Sequence, residues 1–281
     1  MTPLKHLLVH IDSSVRSVDR LRLAQQLARG QSAQVTAMLA ITPAVIRYPW
    51  GFSPEAGMGP ALAELDAQRL QSARERFQQA VSGTGAPLRW VEGQGLAQSS
   101  FGTAGLYADL LVLGQRGPRE EGDPDVSPDF LPSVLMGSGR PTLVVPYAGT
   151  VGGSDFGRRW ALAWKPSREA ARALSAAWPL LSTADEVHVL RLTESTTDAS
   201  SPTDAELERL LHAHGIRAHW HQRGPTPADE VGAALLEMAA EHAVDGLVMG
   251  CFGHSRAHEW LFGGATRHVL EHMRLPVLMA H

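Results

Sequence analysis

The chain carries one pattern twice, and that duplication limits its architecture more than any other feature. Asp109-Leu-Leu-Val-Leu-Gly114 recurs as Asp245-Gly-Leu-Val-Met-Gly250, Gly117 recurs as Gly253, and Pro141-Thr-Leu-Val-Val as Pro276-Val-Leu-Met-Ala. Between the second glycine and the proline lie 23 residues in the first half and 22 in the second. Nearer the starts, Leu7-Leu-Val-His-Ile-Asp12 pairs with Trp160-Ala-Leu-Ala-Trp-Lys165, and Gly93 with Gly224. Repetition on this scale implies two copies of one domain. They are expected at 1–148 and 156–281, joined by the Gly-rich stretch Tyr147–Asp155. A chain of 281 residues is long enough for two domains of ordinary size.

Within each half, short apolar runs alternate with segments of helical period. Leu7–Ile11 and Gln34–Ile41 read as strands, with a helix from about Val15 to Arg29 between them. Leu70, Ala73, Phe77 and Val81 mark another helix by their spacings of three and four. In the second half Ser167 is placed to cap a helix whose Ala170, Leu174, Ala177 and Leu181 face inward. Strands follow at Glu186–Leu192 and Asp245–Met249, and a helix at Val231–Ala240. Continuously apolar strands joined by helices indicate α/β domains, each an open parallel sheet with helices on both faces. Such sheets bind ligands at the carboxyl ends of their strands.

Bulk properties narrow the function. Apolar residues make up 44% of the chain and charged ones 19%, as in a core-forming protein. A net charge of −4 argues against a nucleic-acid partner, which normally meets a basic face. The single cysteine, Cys251, cannot form an intramolecular disulfide and suits a reducing compartment. No apolar stretch reaches the roughly 18 residues of a membrane helix, and Met1–Ile11 runs straight into a strand. A cytoplasmic protein with no membrane partner is the expectation.

The loop after the Leu247–Met249 run carries the chemistry. Gly250, Gly253 and Gly263 are spaced G-x2-G-x9-G, with a helix-like segment opening at Ala265-Thr266. A strand, a glycine loop and a helix N-terminus together present free backbone N–H groups and a positive dipole end, which suit an anion. Spacing, preceding strand and the later Pro276-Val277 together resemble the nucleotide motif of the universal stress protein family. The resemblance covers nearly the whole chain twice. It implies two tandem five-stranded sheets of order 3-2-1-4-5, Rossmann-like and akin to the adenine-nucleotide hydrolase folds. It also implies copies that pack pseudo-symmetrically, and a homodimer of the two-domain chain is a further expectation.

In nucleotide-binding members of that family, the motif holds the ribose and phosphates of ATP. The resemblance therefore implies an adenine-nucleotide site in the second half made of Lys165, Leu192, Gly250, Gly253, His254, Gly263, Gly264, Ala265 and Thr266, with Mg²⁺ accompanying the phosphates. Arg256 and Arg267 are further cations nearby. Two departures stand out. The family has a hydroxyl or amide residue directly after the third glycine, where this chain has Gly264, and it has an Asp where this chain has Lys165. The corresponding first-half positions are Asp12, Ile41, Gly114 and Gly117, but Pro128-Asp129 replace the third glycine. Five carboxylates between Glu120 and Asp129 would also repel a triphosphate. That copy is expected to have lost phosphate binding.

Other signals are weaker. Gly93-Gln-Gly95 reads as a structural turn after a strand, not as a dinucleotide fingerprint. His219 and His221 share one face of a strand, and His268 and His272 lie one helical turn apart. No third metal ligand is evident for either pair. Cys251 would be a redox-sensitive thiol only if exposed. The aromatics Tyr48, Trp50 and Phe52 form either a flap over a site or a buried patch. No G-x-S-x-G elbow or lysine-bearing phosphate loop is present, so a non-enzymatic protein is expected. Three readings remain open: a nucleotide-responsive stress protein, a nucleotide-free scaffold or carrier of a small apolar ligand, and a slow ATPase.

Overall fold

A computed structural model of the protein describes residues 3–49, 57–81, 88–117, 125–149, 151, 156–193, 202–252 and 264–281. They form two compact units, Leu4–Arg140 and one built on Pro141–His281. The repeat placed the joint between 148 and 156. The units divide earlier because the strand beyond Arg140 is hydrogen-bonded into the second unit.

The first unit runs β1 (His6–Ile11), α1 (Arg16–Gln31), β2 (Gln34–Leu39), α2 (Ala44–Arg47), α3 (Gly59–Val81), β3 (Leu88–Glu92), α4 (Ala97–Gly105), β4 (Leu110–Gly114) and α5 (Phe130–Gly137). Its strands are parallel and ordered β3-β2-β1-β4. The central strands β1 and β4 are buried along nearly their whole length, as continuously apolar runs covered on both faces must be. Helix α1 packs on α3, and α4 on α5. Right-handed crossovers put the two pairs on opposite faces.

The second unit runs β5 (Thr142–Val145), β6 (Arg159–Ala163), α6 (Arg168–Leu181), β7 (Glu186–Leu192), α7 (Pro202–Ala213), β8 (Ala218–Arg223), α8 (Val231–Glu241), β9 (Gly246–Gly250), α9 (Gly264–His272) and β10 (Val277–Ala280). Strands β8-β7-β6-β9-β10 are parallel and reproduce the expected 3-2-1-4-5 order. The expected open edge is absent, however. β5 pairs antiparallel with β10, Val144 opposite Val277 and Thr142 opposite Met279, so this unit contributes six strands and its pairing is mixed. The physical reason is that a last strand left open would present a row of unpaired N–H and C=O groups.

The repeated Asp has a structural task. Asp109 accepts hydrogen bonds from the N–H groups of Lys5 (2.7 Å) and His6 (2.9 Å), where β1 begins beside β4. Asp245 does the same for Arg158 (3.1 Å) and Arg159 (3.2 Å) at the start of β6. Each carboxylate thus anchors the first strand of its repeat to the fourth. Next to these anchors the two copies solve one packing problem differently. Leu7 lies opposite Leu110 in the first, and Trp160 opposite Gly246 in the second, with Trp160 fully buried. A Cβ on Gly246 would lie 2.4 Å from the indole ring, so the large residue and the missing side chain are one complementary pair.

His10 is a core histidine. It lies between the rings of Phe101 (5.6 Å) and Phe130 (4.5 Å), and its Nε2–H donates to the carbonyl of Ala40 at 2.8 Å. Burial, partly opposed by Asp12 and reinforced by Arg20, pushes its pKa down from 6.5 to about 4. Among the described residues no helix is long and apolar enough to cross a membrane.

Two outcomes follow. Gly246→Ala forces the Trp160 ring to move and lowers stability by about 1–3 kcal/mol in urea denaturation. Adding Trp160→Leu recovers part of that loss, because it recreates the small-ring-free packing of the first copy. The second outcome concerns pH. Between pH 6.5 and 4 the unfolded chain binds a proton at His10 that the folded chain refuses. Stability present above pH 6.5 is therefore lost as pH falls through that window, by at most about 3 kcal/mol from this group. A His10→Gln variant, compared by denaturation at several pH values, shows a flatter profile across it.

Candidate functional site

Four strand ends and three helix starts of the second unit enclose a cavity of about 430 Å³. β6 leaves the sheet through Trp164 and Lys165, and Ser167 then caps α6, its hydroxyl accepting from the Ala170 N–H at 3.1 Å. β7 contributes Leu190, Leu192 and Thr193. The turn after β8 adds Thr226 and Ala228, and α8 adds Val231 and Leu235. β9 ends at Met249-Gly250, and α9 opens with Gly264, Ala265 and Thr266 on the cavity wall. This is the carboxyl-end position at which parallel α/β sheets bind ligands.

Most of the expected residues meet there. Lys165, Leu192, Gly250, Gly264, Ala265 and Thr266 all line the cavity. Gly253, His254 and Gly263 lie outside the described residues, as do Arg256 and the aromatics Trp50 and Phe52. Arg267 turns away and pairs with Glu271 at 2.8 Å, one helical turn on.

Local geometry explains why the sequence is built this way. A Cβ on Gly250 would stand 2.6 Å from the backbone nitrogen of Ala170, so only glycine lets α6 begin this close to the end of β9. Two residues on, Phe252 adopts a left-handed conformation with φ of 62°. Such backbone is unfavourable for a side chain with a Cβ and tends to persist at functional sites. It directs the Phe252 N–H toward the Thr266 hydroxyl at 3.4 Å, tying the end of β9 to the first turn of α9. The first N–H groups of α9 have no acceptor within their own helix, and they sit at its positive dipole end.

The electrostatics are mixed. Lys165 is exposed at the cavity wall. Glu169, also on that wall, is held below the usual carboxylate range, chiefly by the backbone N–H at the start of α6, and Arg168 lies 3.8 Å away. At the β7 end, the Thr193 N–H donates to Arg223 and its carbonyl accepts from Thr226, both at 3.2 Å. The backbone just after Leu192 is thus already paired. Sequence reasoning missed Trp164, Thr226, Val231 and Leu235; their only advance signal was position just beyond or beside a strand end. Cys251 is buried, its thiol pushed up to about 12 by burial and by Glu169, and so is not a redox-ready group.

The first unit treats the equivalent place in the opposite way. Asp12, at the end of β1, receives Arg20 at 2.8 Å and the hydroxyls of Ser14 and Ser17. Burial alone would push this carboxyl up, but Arg20, His10 and the hydroxyls more than offset it and hold it well below the usual range. Arg20 packs against Gly114, where a Cβ would lie 2.3 Å from its Nη1. From the acidic stretch, Asp125 turns inward. It accepts from the Ser13 N–H at 2.6 Å and pairs with buried Arg69 at 3.2 Å. Its carbonyl accepts from the Thr42 N–H, directly after Ile41, at 2.7 Å. Gly117 follows β4, partly exposed. The protein's own groups therefore occupy the polar positions beside Asp12 and Ile41. Carrying the Asp12–Lys165 pairing along the chain sets Arg20 opposite Ala173 and Ser17 opposite Ala170, so the second copy lacks the side chains that fill the first.

Comparison with known proteins bears on the whole chain. Residues 159–281 match the sequence model of the Universal stress protein family. No curated protein matches. A universal stress protein from Archaeoglobus fulgidus DSM 4304 superposes with a TM-score of 0.70 at 18% identity, over 98% of this chain and 97% of its own. A functionally unknown protein from Pseudomonas aeruginosa PAO1 superposes with a TM-score of 0.58 at 16% identity, over 99% and 92%. Residues 159–281 thus match a universal stress protein domain, and the fold of nearly the whole chain is similar to that of the Archaeoglobus fulgidus protein.

Proposed function

We propose that the C-terminal half binds an adenine nucleotide, ATP with its Mg²⁺, and that the chain acts in the cytoplasm as a stress-response protein through the bound state rather than through turnover. The observation that carries this reading is the convergence of Lys165, Gly250 and the first turn of α9 on one cavity of about 430 Å³. That volume lies within the range of small-molecule sites. The N–H groups of α9 would donate to phosphate oxygens, Lys165 would bring a positive charge to the position where the family has Asp, and Thr266 would secure the loop. Glu169 is the carboxylate on the wall that suits Mg²⁺.

One observation favours a second reading. Leu190, Leu192, Val231, Leu235, Met249 and Phe252 make much of the wall apolar, as would suit a small apolar ligand.

Calorimetric titration with ATP separates the two. A Cβ on Gly264 would meet only an ordinary van der Waals contact, the Ala228 carbonyl oxygen 3.9 Å away, so Gly264→Val is expected to fold. It should nonetheless weaken ATP binding about tenfold or more, a loss of about 1.4 kcal/mol. Equal binding by both proteins would remove the nucleotide from this cavity, and a co-purified lipid seen by native mass spectrometry would favour the apolar ligand.

A further inference from the structure

The strand register of the second unit gathers four histidines that are scattered in sequence. His188 on β7 lies opposite His219 on β8, and His221, two residues further on, projects from the same face. His242, at the C-terminus of α8, reaches the same place, its ring stacked on that of His221 at 3.5 Å. His188 Nδ1 is 2.9 Å from His221 Nε2. One nitrogen from each of His188, His221 and His242 falls within 4.8 Å of the others. His219 closes one side, its ring 5.3 Å from that of His188.

We propose that His188, His221 and His242 form a binding site for a divalent transition metal of the zinc class. Three imidazole nitrogens are the ligand set that such ions prefer, with a fourth position left for water or for an incoming group. Tetrahedral coordination at ordinary Zn–N lengths needs nitrogens about 3.3 Å apart. Small rotations of partly exposed His221 and His242 around buried His188 reach that spacing.

Two surrounding features fit a metal better than a chance cluster. The Nε2 of His188 faces the Glu186 carboxylate at 3.2 Å, which fixes Nδ1 as the inward, ligating atom. That is the carboxylate–histidine–metal arrangement by which outer groups orient a ligand. A guanidinium on the same face of β8, Arg223, is engaged by Glu237 (2.7 Å) and Glu241 (2.6 Å) on α8, so its charge is matched before an ion arrives. Burial and neighbouring histidines lower the pKa of His221, and burial lowers that of His188 against the pull of Glu186; both rings are held in the neutral form that ligates. On binding, the ion takes the Nδ1 lone pair of His188, and the hydrogen between the two rings moves to Nδ1 of His221, whose Nε2 lone pair then faces the ion.

The test uses tag-free, full-length protein, stripped with a chelator, dialysed, and titrated with Co²⁺ and then Zn²⁺. One equivalent of Co²⁺ should bind with the visible absorption of a four- or five-coordinate ion, and Zn²⁺ should displace it. His221→Gln and His242→Ala, each retaining a native circular dichroism spectrum, should lose stoichiometric binding. Glu186→Ala should weaken it roughly 10-fold. His268→Ala should change nothing, because His268 and His272 stack on each other, outside the cluster, and His272 donates to the His268 carbonyl. Absence of saturable binding by the wild type, unchanged affinity in the cluster variants, or loss on changing His268 would each overturn the site.

Discussion

A parallel sheet leaves polar groups without partners where its strands end and its helices begin, and the whole chain is arranged around how those groups are satisfied. Backbone N–H groups at a helix start cannot be paired inside the helix. Something must come to them: water, a ligand, or another part of the protein. In the first unit the protein answers with its own side chains, as Asp125 takes the Ser13 amide and Arg20 takes Asp12. In the second, Ala170 and Ala173 stand where Ser17 and Arg20 stand in the first, and Ala170 lines the cavity.

The same divergence runs through the core, where it is neutral in volume. Leu7 with Leu110 and Trp160 with Gly246 occupy equivalent places, and each pair fills its space. Cores tolerate such exchanges when the total volume is kept. The two copies have therefore drifted apart in packing while keeping the anchors that define the topology. Asp109 and Asp245 still hold the first strand to the fourth in both. Anchor residues keep their identity because a carboxylate receiving two backbone N–H groups has no apolar substitute.

Much of the fold was readable from the chain because its signals are local. The apolar run Glu186–Leu192 and the Ser167 cap depend only on neighbours in sequence, and both stand where they were expected. Most described residues assigned to the cavity were found through the spacing of glycines around a strand end. What escaped reading was long-range. An acidic run reads as solvated, and nothing in it says that Asp125 alone turns inward to meet Arg69. The histidines of β8 looked like a pair without a third member because His188 and His242 join them only through strand register and the end of a helix. The antiparallel match of β5 with β10 is likewise a matter of which edges meet, and composition is silent on that.

That β5–β10 match has a practical consequence for dissecting the chain. A fragment begun inside the Gly-rich stretch near residue 153 would keep every strand of the second repeat and still lose β5, leaving the backbone of Val277–Met279 bare along one side. Bare margins of this kind recruit whatever strand is at hand, including an identical fragment. An expression boundary at Pro141 carries the strand that covers Val277–Met279 along with the repeat.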